Sequence, residues 1–270
     1  MNIWKNTATL DGYDEGLLFT NIKEEADIAL LGSKSISLEE FSNLKGLFRV
    51  GISRDNVPEE EAEAMGIRVR FPSQETIEII YEETACFTCS LIFRMLYSET
   101  GTLEPWRKHI RVQLNDKVLL VIGTGNIGSR VAKKMQGFLA VETYDLLQNT
   151  ATELKSLMES ADCITLHIPK SEENNNFIDS EKLSWMKDGA ALINTARGAI
   201  VDEEALLKEI ESLRIFAAFD VYWQEPYKGK LMKYHPDRFY MTPHVASTCN
   251  GFIYGCRNDL NILIEDLSCA

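Results

Sequence analysis

The stretch VLLVIGTGNIGSRVAKKMQGFLAVETYD, Val118 to Asp145, decides the fold. Val118–Ile122 is an apolar run of strand length that passes directly into Gly123-Thr124-Gly125-Asn126-Ile127-Gly128, a G-x-G-x-x-G. Val131, Ala132 and Met135 then recur at helical spacing, Gly137 can end the helix, and Val141–Tyr144 reads as a second strand with Asp145 at its end. Each part has a mechanical reason. Gly123 permits a tight turn, Gly125 lets backbone approach a pyrophosphate, and Gly128 lets helix pack closely on strand. The helix start offers unpaired N–H groups and partial positive charge to phosphates. An acid about twenty residues past the first glycine can accept the hydroxyls of an adenosine ribose. The stretch reads as a dinucleotide site.

Outward from it, strand-like and helix-like pieces alternate. Upstream, Asp27–Leu31, Leu47–Val50 and Ile67–Phe71 read as strands. Ser37 to Glu40 has capping-box spacing ahead of Leu38, Phe41 and Leu44, and Pro58 with Glu59–Glu61 suits a helix start. Residues 83–97 read as a helix apolar nearly all round, followed by a polar, basic connector. Downstream, Cys163–Leu166, Ala190–Ile193, Ile215–Phe219 and Tyr240–Met241 read as strands, Asp202 as a helix cap, and Phe252–Leu267 as a last amphipathic helix. Alternation of this kind predicts α/β architecture: two doubly wound parallel-sheet domains. The upstream one has no glycine-rich phosphate loop of its own.

The chain has 270 residues, 45% hydrophobic and 26% charged, a composition able to bury a core. Its net charge of −13 argues against nucleic-acid and anionic-lipid surfaces. The first residues lack an apolar signal region and no stretch is long enough to cross a bilayer, so a cytoplasmic protein is expected. Cys86 and Cys89 form a C-x-x-C inside an apolar helical run with no second ligand pair. Buried free thiols are expected there, and no metal site.

Three polar residues follow predicted strands, where ligands bind in parallel sheets. They are Arg197 in Ile193–Gly198, Glu225 in Phe219–Pro226, and His244 in Met241–Ser247. Singly, each has a plain reading: a surface ion pair, a solvated loop acid, a turn residue. Their shared placement points to redox chemistry between carbonyl and alcohol. Arginine can clamp a carboxylate bidentately and polarise the neighbouring carbonyl. Histidine can exchange a proton with the oxygen, and a carboxylate partner would fix its tautomer. Asp145 should accept the ribose of NAD and repel a 2′-phosphate, and Leu146 and Leu147 supply no arginine for one.

From about Leu44 to Ser247 the chain resembles the NAD-dependent D-2-hydroxyacid dehydrogenases. The resemblance is carried by GTGNIG at Gly123–Gly128, ADCITLHIP at Ala161–Pro169 and ALINTARGAIVDEEAL at Ala191–Leu206. DVYWQEP at Asp220–Pro226 and TPHVAS at Thr242–Ser247 complete it. It implies a Rossmann NAD-binding domain over residues 84–251 and a smaller flavodoxin-like substrate domain over 1–83, with the helix 252–270 packing back near the latter. It implies Arg197 as carboxylate and carbonyl binder, His244 as general acid/base and Glu225 as its partner. Thr84, Gly123, Gly125, Asn126, Ile127, Gly128, Asp145, His167, Pro169, Thr195, Ala196 and Asp220 would contact NAD, Asp220 through the nicotinamide carboxamide. Backbone N–H groups of Val50, Gly51 and Ile52 would join Arg197 on the substrate carboxylate. A homodimer is expected.

The chain departs from the family pattern where Ser53 replaces a second glycine, Arg54 a small apolar residue and Tyr81 an alanine. An Arg54 in the cleft could meet a second anionic group; a solvated arginine, or one paired with Asp55, is the plainer reading. The expected reaction interconverts a 2-oxoacid and a D-2-hydroxyacid. The alternatives are an NAD(H)-sensing binding protein on the same fold, or a dehydrogenase of another small oxyanion such as phosphite.

Overall fold

The computed structural model describes residues 1–269. The chain divides into two units, Met1–Ile80 together with the stretch from Ser247 onward, and Tyr81–Ala246.

The first unit is built on β1 (Asn2–Lys5), β2 (Leu18–Phe19), β3 (Ile28–Leu31), β4 (Gly46–Arg49) and β5 (Arg68–Arg70). All pair in parallel in the order β2-β1-β3-β4-β5. Its central strands β3 and β4 are buried along their whole length, as a sheet covered on both faces requires. One face packs Ile28, Leu30 and Phe48 against the end of the chain, the other Ala29, Leu31 and Leu47 against Leu38, Phe41 and Ala62. Here α1 (Glu59–Ala64) follows Pro58 with three acids in its first turn. Ser37 makes no capping bond, and only a 3-10 turn forms over Leu38–Glu40 where the sequence spacing predicts a helix.

The long helix α2 (Gln74–Leu96) begins nine residues before the sequence predicts. Its start is held from afar: the Asp259 carboxylate accepts from the Ser73 N–H at 2.8 Å and the Thr76 hydroxyl at 2.9 Å. It is not apolar all round. Glu82, Cys86, Ser90 and Arg94, four residues apart, form an exposed stripe, while Ala85, Ile92 and Met95 pack on the second sheet.

A short hairpin, β6 (Gly101–Thr102) with β7 (Arg107–Lys108), interrupts the basic connector. The second sheet then uses β8 (Val118–Ile122), β9 (Ala140–Tyr144), β10 (Cys163–Leu166), β11 (Ala191–Asn194), β12 (Phe216–Phe219) and β13 (Phe239–Met241), all parallel. Its order is β13-β12-β11-β10-β8-β9. The order reverses at β8, between β9 and β10, which is where open parallel sheets bind ligands. Helices α3 (Gly128–Met135), α4 (Ala151–Ser160), α5 (Ser180–Trp185) and α6 (Glu203–Glu211) connect the strands. Thr150, Asp179 and Asp202 cap the last three by accepting from backbone N–H groups. Finally α7 (Asn250–Ser268) returns the chain to the first unit, burying Phe252, Ile253, Leu260 and Leu263 there.

No helix among the described residues is long and apolar enough to cross a membrane. All six cysteines are free, but only Cys89, Cys163 and Cys256 are buried; Cys86 lies on the exposed stripe of α2, contrary to expectation.

Candidate active site

Strand register aligns the site. Ile122, Tyr144, Leu166, Asn194, Phe219 and Met241 are mutual neighbours across the second sheet. The residues that follow them, Gly123, Asp145, His167, Thr195, Asp220 and Thr242, therefore form one row along its carboxyl edge. Five of the six are predicted from sequence to contact a cofactor, and the sixth opens the His244 loop.

Gly123 turns with φ 94° against the backbone of His167, where an added Cβ would come within 2.7 Å of the His167 carbonyl. Gly128 meets the Gly123 carbonyl so closely that an added Cβ would lie 1.9 Å from its oxygen. Nothing stands within 4 Å of a Cβ built on Gly125, so that position opens the space a pyrophosphate needs. No side chain caps α3, which starts directly after Asn126 and Ile127 and whose Ser129 N–H donates to the Gly125 carbonyl at 3.0 Å. Asp145 is held as an acceptor. Thr124 donates to one carboxylate oxygen through its hydroxyl at 2.6 Å and its N–H at 3.1 Å, and the Leu147 N–H donates to the other at 3.1 Å. These bonds, the Thr124 hydroxyl foremost, lower the Asp145 pKa and keep it anionic. An open glycine cradle, an uncapped helix start and a fixed anion at the β9 tip suit an NAD pyrophosphate and adenosine ribose.

Thr84 is buried in α2; its carbonyl accepts from the Thr88 hydroxyl at 2.7 Å, and Thr88 in turn meets the Thr195 hydroxyl at 2.9 Å. Thr88, set within an apolar run, carries no sequence signal. His167 is driven down to about pKa 3 by burial and is neutral at working pH; its Nε2 pairs with the Thr165 hydroxyl at 3.0 Å. Pro169 is exposed just beyond, its carbonyl accepting from Asn174 at 2.9 Å. Ala196 donates its N–H to Asn194 at 3.0 Å, which also takes the Arg197 carbonyl through its Nδ2 at 2.9 Å and so shapes the arginine loop.

Glu225 and His244 meet, Oε2 to Nδ1, at 2.8 Å. Burial pushes the Glu225 carboxyl up, but the hydrogen bond to His244, the charge of His244, the Tyr222 N–H and the Arg197 guanidinium outweigh it and hold the pKa below its ordinary value. With Glu225 anionic, Nδ1 carries the proton and Nε2 faces away, able to exchange one. His244 has φ 55°, a left-handed backbone uncommon for a non-glycine residue. Asp220 holds it there: its carboxylate accepts from the Thr242 hydroxyl at 2.6 Å and from the Val245 and Ala246 N–H groups at 2.9 Å each. Asp220 is fully buried and burial raises its pKa despite these three bonds. The geometry thus gives Asp220 the histidine loop, whereas the family resemblance gives it the carboxamide.

Tyr222 and Trp223 pack against the core of the second unit. Trp223 donates to the Val201 carbonyl at 2.6 Å and stacks near Phe219, and Tyr222 stacks on Tyr227.

In the first unit, Gly51 has φ 123° and lies against the Arg49 guanidinium, which donates to Asn56 at 3.1 Å. Of the three expected donors, Val50 gives its N–H to the Leu31 carbonyl at 2.8 Å, extending the sheet. The Val50 N–H is therefore committed to the sheet, in keeping with the strand predicted over Leu47–Val50. Arg54 pairs with Glu59 at 2.7 Å and lies over the Phe71 ring at 4.1 Å. Its partner is Glu59, not Asp55.

A doubly wound parallel sheet with this edge defines a dinucleotide-binding domain. Residues 95–246 match the family described as D-isomer specific 2-hydroxyacid dehydrogenase, NAD binding domain, and the chain belongs to that family, with NAD as its cofactor. The chain is 32% identical to a D-3-phosphoglycerate dehydrogenase of Synechocystis, across 92% of its own length and 48% of that protein's. It is 32% identical to a hydroxypyruvate reductase of Thermotoga maritima across 78% of its length and 73% of that protein's. A glyoxylate reductase of Thermofilum pendens is 30% identical, across 85% and 74%. The chain thus spans about half of the first relative and about three quarters of the other two. In fold it is similar to the crystal structure of D-lactate dehydrogenase from Aquifex aeolicus, complexed with NAD and lactic acid. The TM-score is 0.77 at 22% identity, covering 98% of this chain and 94% of that one.

Proposed function

We propose that this protein interconverts a 2-oxoacid and the corresponding D-2-hydroxyacid. The observation that carries the reading is the 2.8 Å Glu225–His244 pair, on the edge that holds the glycine cradle and with the Arg197 charge beside it. NAD(H), when bound, supplies or accepts the hydride at the substrate C2. Gly123, Gly125, Asn126, Ile127 and Gly128 would hold its pyrophosphate and Asp145 its ribose. His167, Pro169, Thr195 and Ala196 continue that edge toward the nicotinamide end. The Arg197 guanidinium binds the substrate carboxylate and draws electron density from the C2 oxygen. His244 Nε2 gives a proton to that oxygen in reduction and removes it in oxidation, while Glu225 stabilises the imidazolium and fixes Nδ1 as donor. Asp220, through Val245 and Ala246, keeps the ring in place.

The test is oxidation of NADH followed by absorbance with glyoxylate, hydroxypyruvate, pyruvate and phosphohydroxypyruvate. Turnover with at least one is expected, and His244→Ala should lower it by at least about a hundredfold with NADH binding nearly unchanged. No turnover with any 2-oxoacid would overturn the reading. Arg54, tied to Glu59 and Phe71, supports no general preference for doubly anionic substrates.

We also propose a homodimer formed through the connector. Leu103, Trp106, Ile110 and Val112 are exposed there, Trp106 at 77% and Ile110 at 103%, a cluster of apolar surface that a second copy would cover. Sedimentation should show a dimer that Trp106→Arg with Ile110→Asp converts to monomer. Six free thiols suit a reducing compartment, and we assign the protein to the cytoplasm.

A further inference from the structure

The loops bearing Arg197, Glu225 and His244 leave three different strands, yet each is fastened to one residue. The Tyr222 hydroxyl lies 2.8 Å from the Phe219 carbonyl and 2.9 Å from the Thr242 carbonyl, and accepts from the Thr242 N–H at 3.1 Å. It thereby bridges the gap where β12 and β13 end and the His244 loop begins. The same Thr242 carbonyl accepts from the His244 N–H at 3.0 Å, so the phenol restrains the peptide on which the histidine turns. The Tyr222 backbone N–H donates to Glu225 Oε1 at 3.2 Å, the oxygen that His244 does not use. On its other side the Tyr222 carbonyl and the Trp223 nitrogen press against Gly198, where an added Cβ would lie 2.1–2.4 Å from them. Gly198 directly follows Arg197, so the arginine loop is seated on this backbone.

We propose that Tyr222 is a positioning residue, whose hydroxyl keeps His244 in register with Glu225 for proton exchange. Its consequence for rate rests on the dehydrogenase reading; its consequence for the imidazole does not. Packing alone does not call for the hydroxyl. A phenylalanine would stack on Tyr227, 5.1 Å away at 21°, equally well. Burial pushes the phenol pKa up, so the hydroxyl remains a donor throughout the working range. Without it, the Thr242 peptide loses its tie to the Tyr222 side chain. The left-handed His244 backbone then keeps its Asp220 bonds and the backbone bonds of Thr242 to Phe219 and His244, but with the Thr242 carbonyl released from the phenol the imidazole gains freedom to leave Glu225.

Tyr222→Phe tests this in the full chain, which contains only four histidines. In protein labelled with ¹⁵N-histidine, the neutral His244 ring should be the Nδ1–H tautomer in wild type and a mixture with Nε2–H in the variant. With a reducible 2-oxoacid, kcat should fall about tenfold while the KM for NADH stays within about twofold. A variant that keeps the wild-type tautomer and kcat overturns the proposal, even if its melting temperature falls. If wild type reduces no 2-oxoacid, the dehydrogenase reading fails, and the tautomer alone still decides the role of Tyr222.

Discussion

The two later glycines of the phosphate loop should fail in opposite ways. Alanine at Gly128 would bring a methyl to 1.9 Å from the Gly123 carbonyl oxygen and 3.1 Å from His167 Cβ. The nearest of these is backbone, so α3 must lift from β8. Overpacking of this kind costs about 1–3 kcal/mol. At about 2–4 °C per kcal/mol for a domain of this size, Gly128→Ala should melt about 5 °C below wild type. Gly125→Ala meets nothing within 4 Å, and Gly125 is outside the left-handed region, so the fold accepts it. Loss of glycine freedom in the unfolded chain should even raise stability by about 0.4–1 kcal/mol. The new methyl instead occupies the pyrophosphate space, and NADH should bind at least about tenfold more weakly, a loss of about 1.4 kcal/mol. Thermal unfolding and NADH fluorescence titration on the same two proteins separate these effects. A Gly125→Ala protein with wild-type NADH affinity would refute the cradle, and a Gly128→Ala protein with unchanged melting would refute the close approach.

Glu225→Gln should cost about 1–2 kcal/mol at neutral pH. Because the folded Glu225 pKa lies below its unfolded value, that contribution is present above about pH 4.5 and is lost as pH falls through the folded value. Urea unfolding should therefore show the gap between wild type and variant closing in acid; a gap independent of pH would contradict the pairing with His244. Asp145→Ala should weaken NADH about tenfold and shrink the preference for NADH over NADPH, read from the two dissociation constants. An unaltered preference would detach Asp145 from the ribose.

Much of the second unit was legible because its signals are local. Val118–Ile122 and Cys163–Leu166 are uninterrupted apolar runs and form the predicted strands without change. Parallel pairing then carries any residue at a strand's end to the same edge, which is why Arg197, Glu225 and His244 could be grouped before their contacts were known. What sequence could not show depends on distant partners. The start of α2 is polar in composition and is fixed by Asp259, 186 residues from Ser73. Strands β1 and β2 are short, and Leu18 and Phe19 are exposed, so neither shows a buried run. Ser37 has a capping residue's spacing, but no helix follows it. At the site, Thr124 lies inside the glycine motif yet acts on Asp145, and Tyr222 and Asp220 act on loops about twenty residues away. Motif position identified Asp220; only the fold shows which groups its carboxylate holds.

The central claim is direct hydride transfer to C2 of a 2-oxoacid under proton donation by His244. The most direct measurement supplies NADH deuterated at the transferable C4 position and analyses the hydroxyacid formed. Deuterium bound at C2 of a D-configured product is the predicted result. An L-configured product, or a D-2-hydroxyacid without deuterium at C2, would contradict the account.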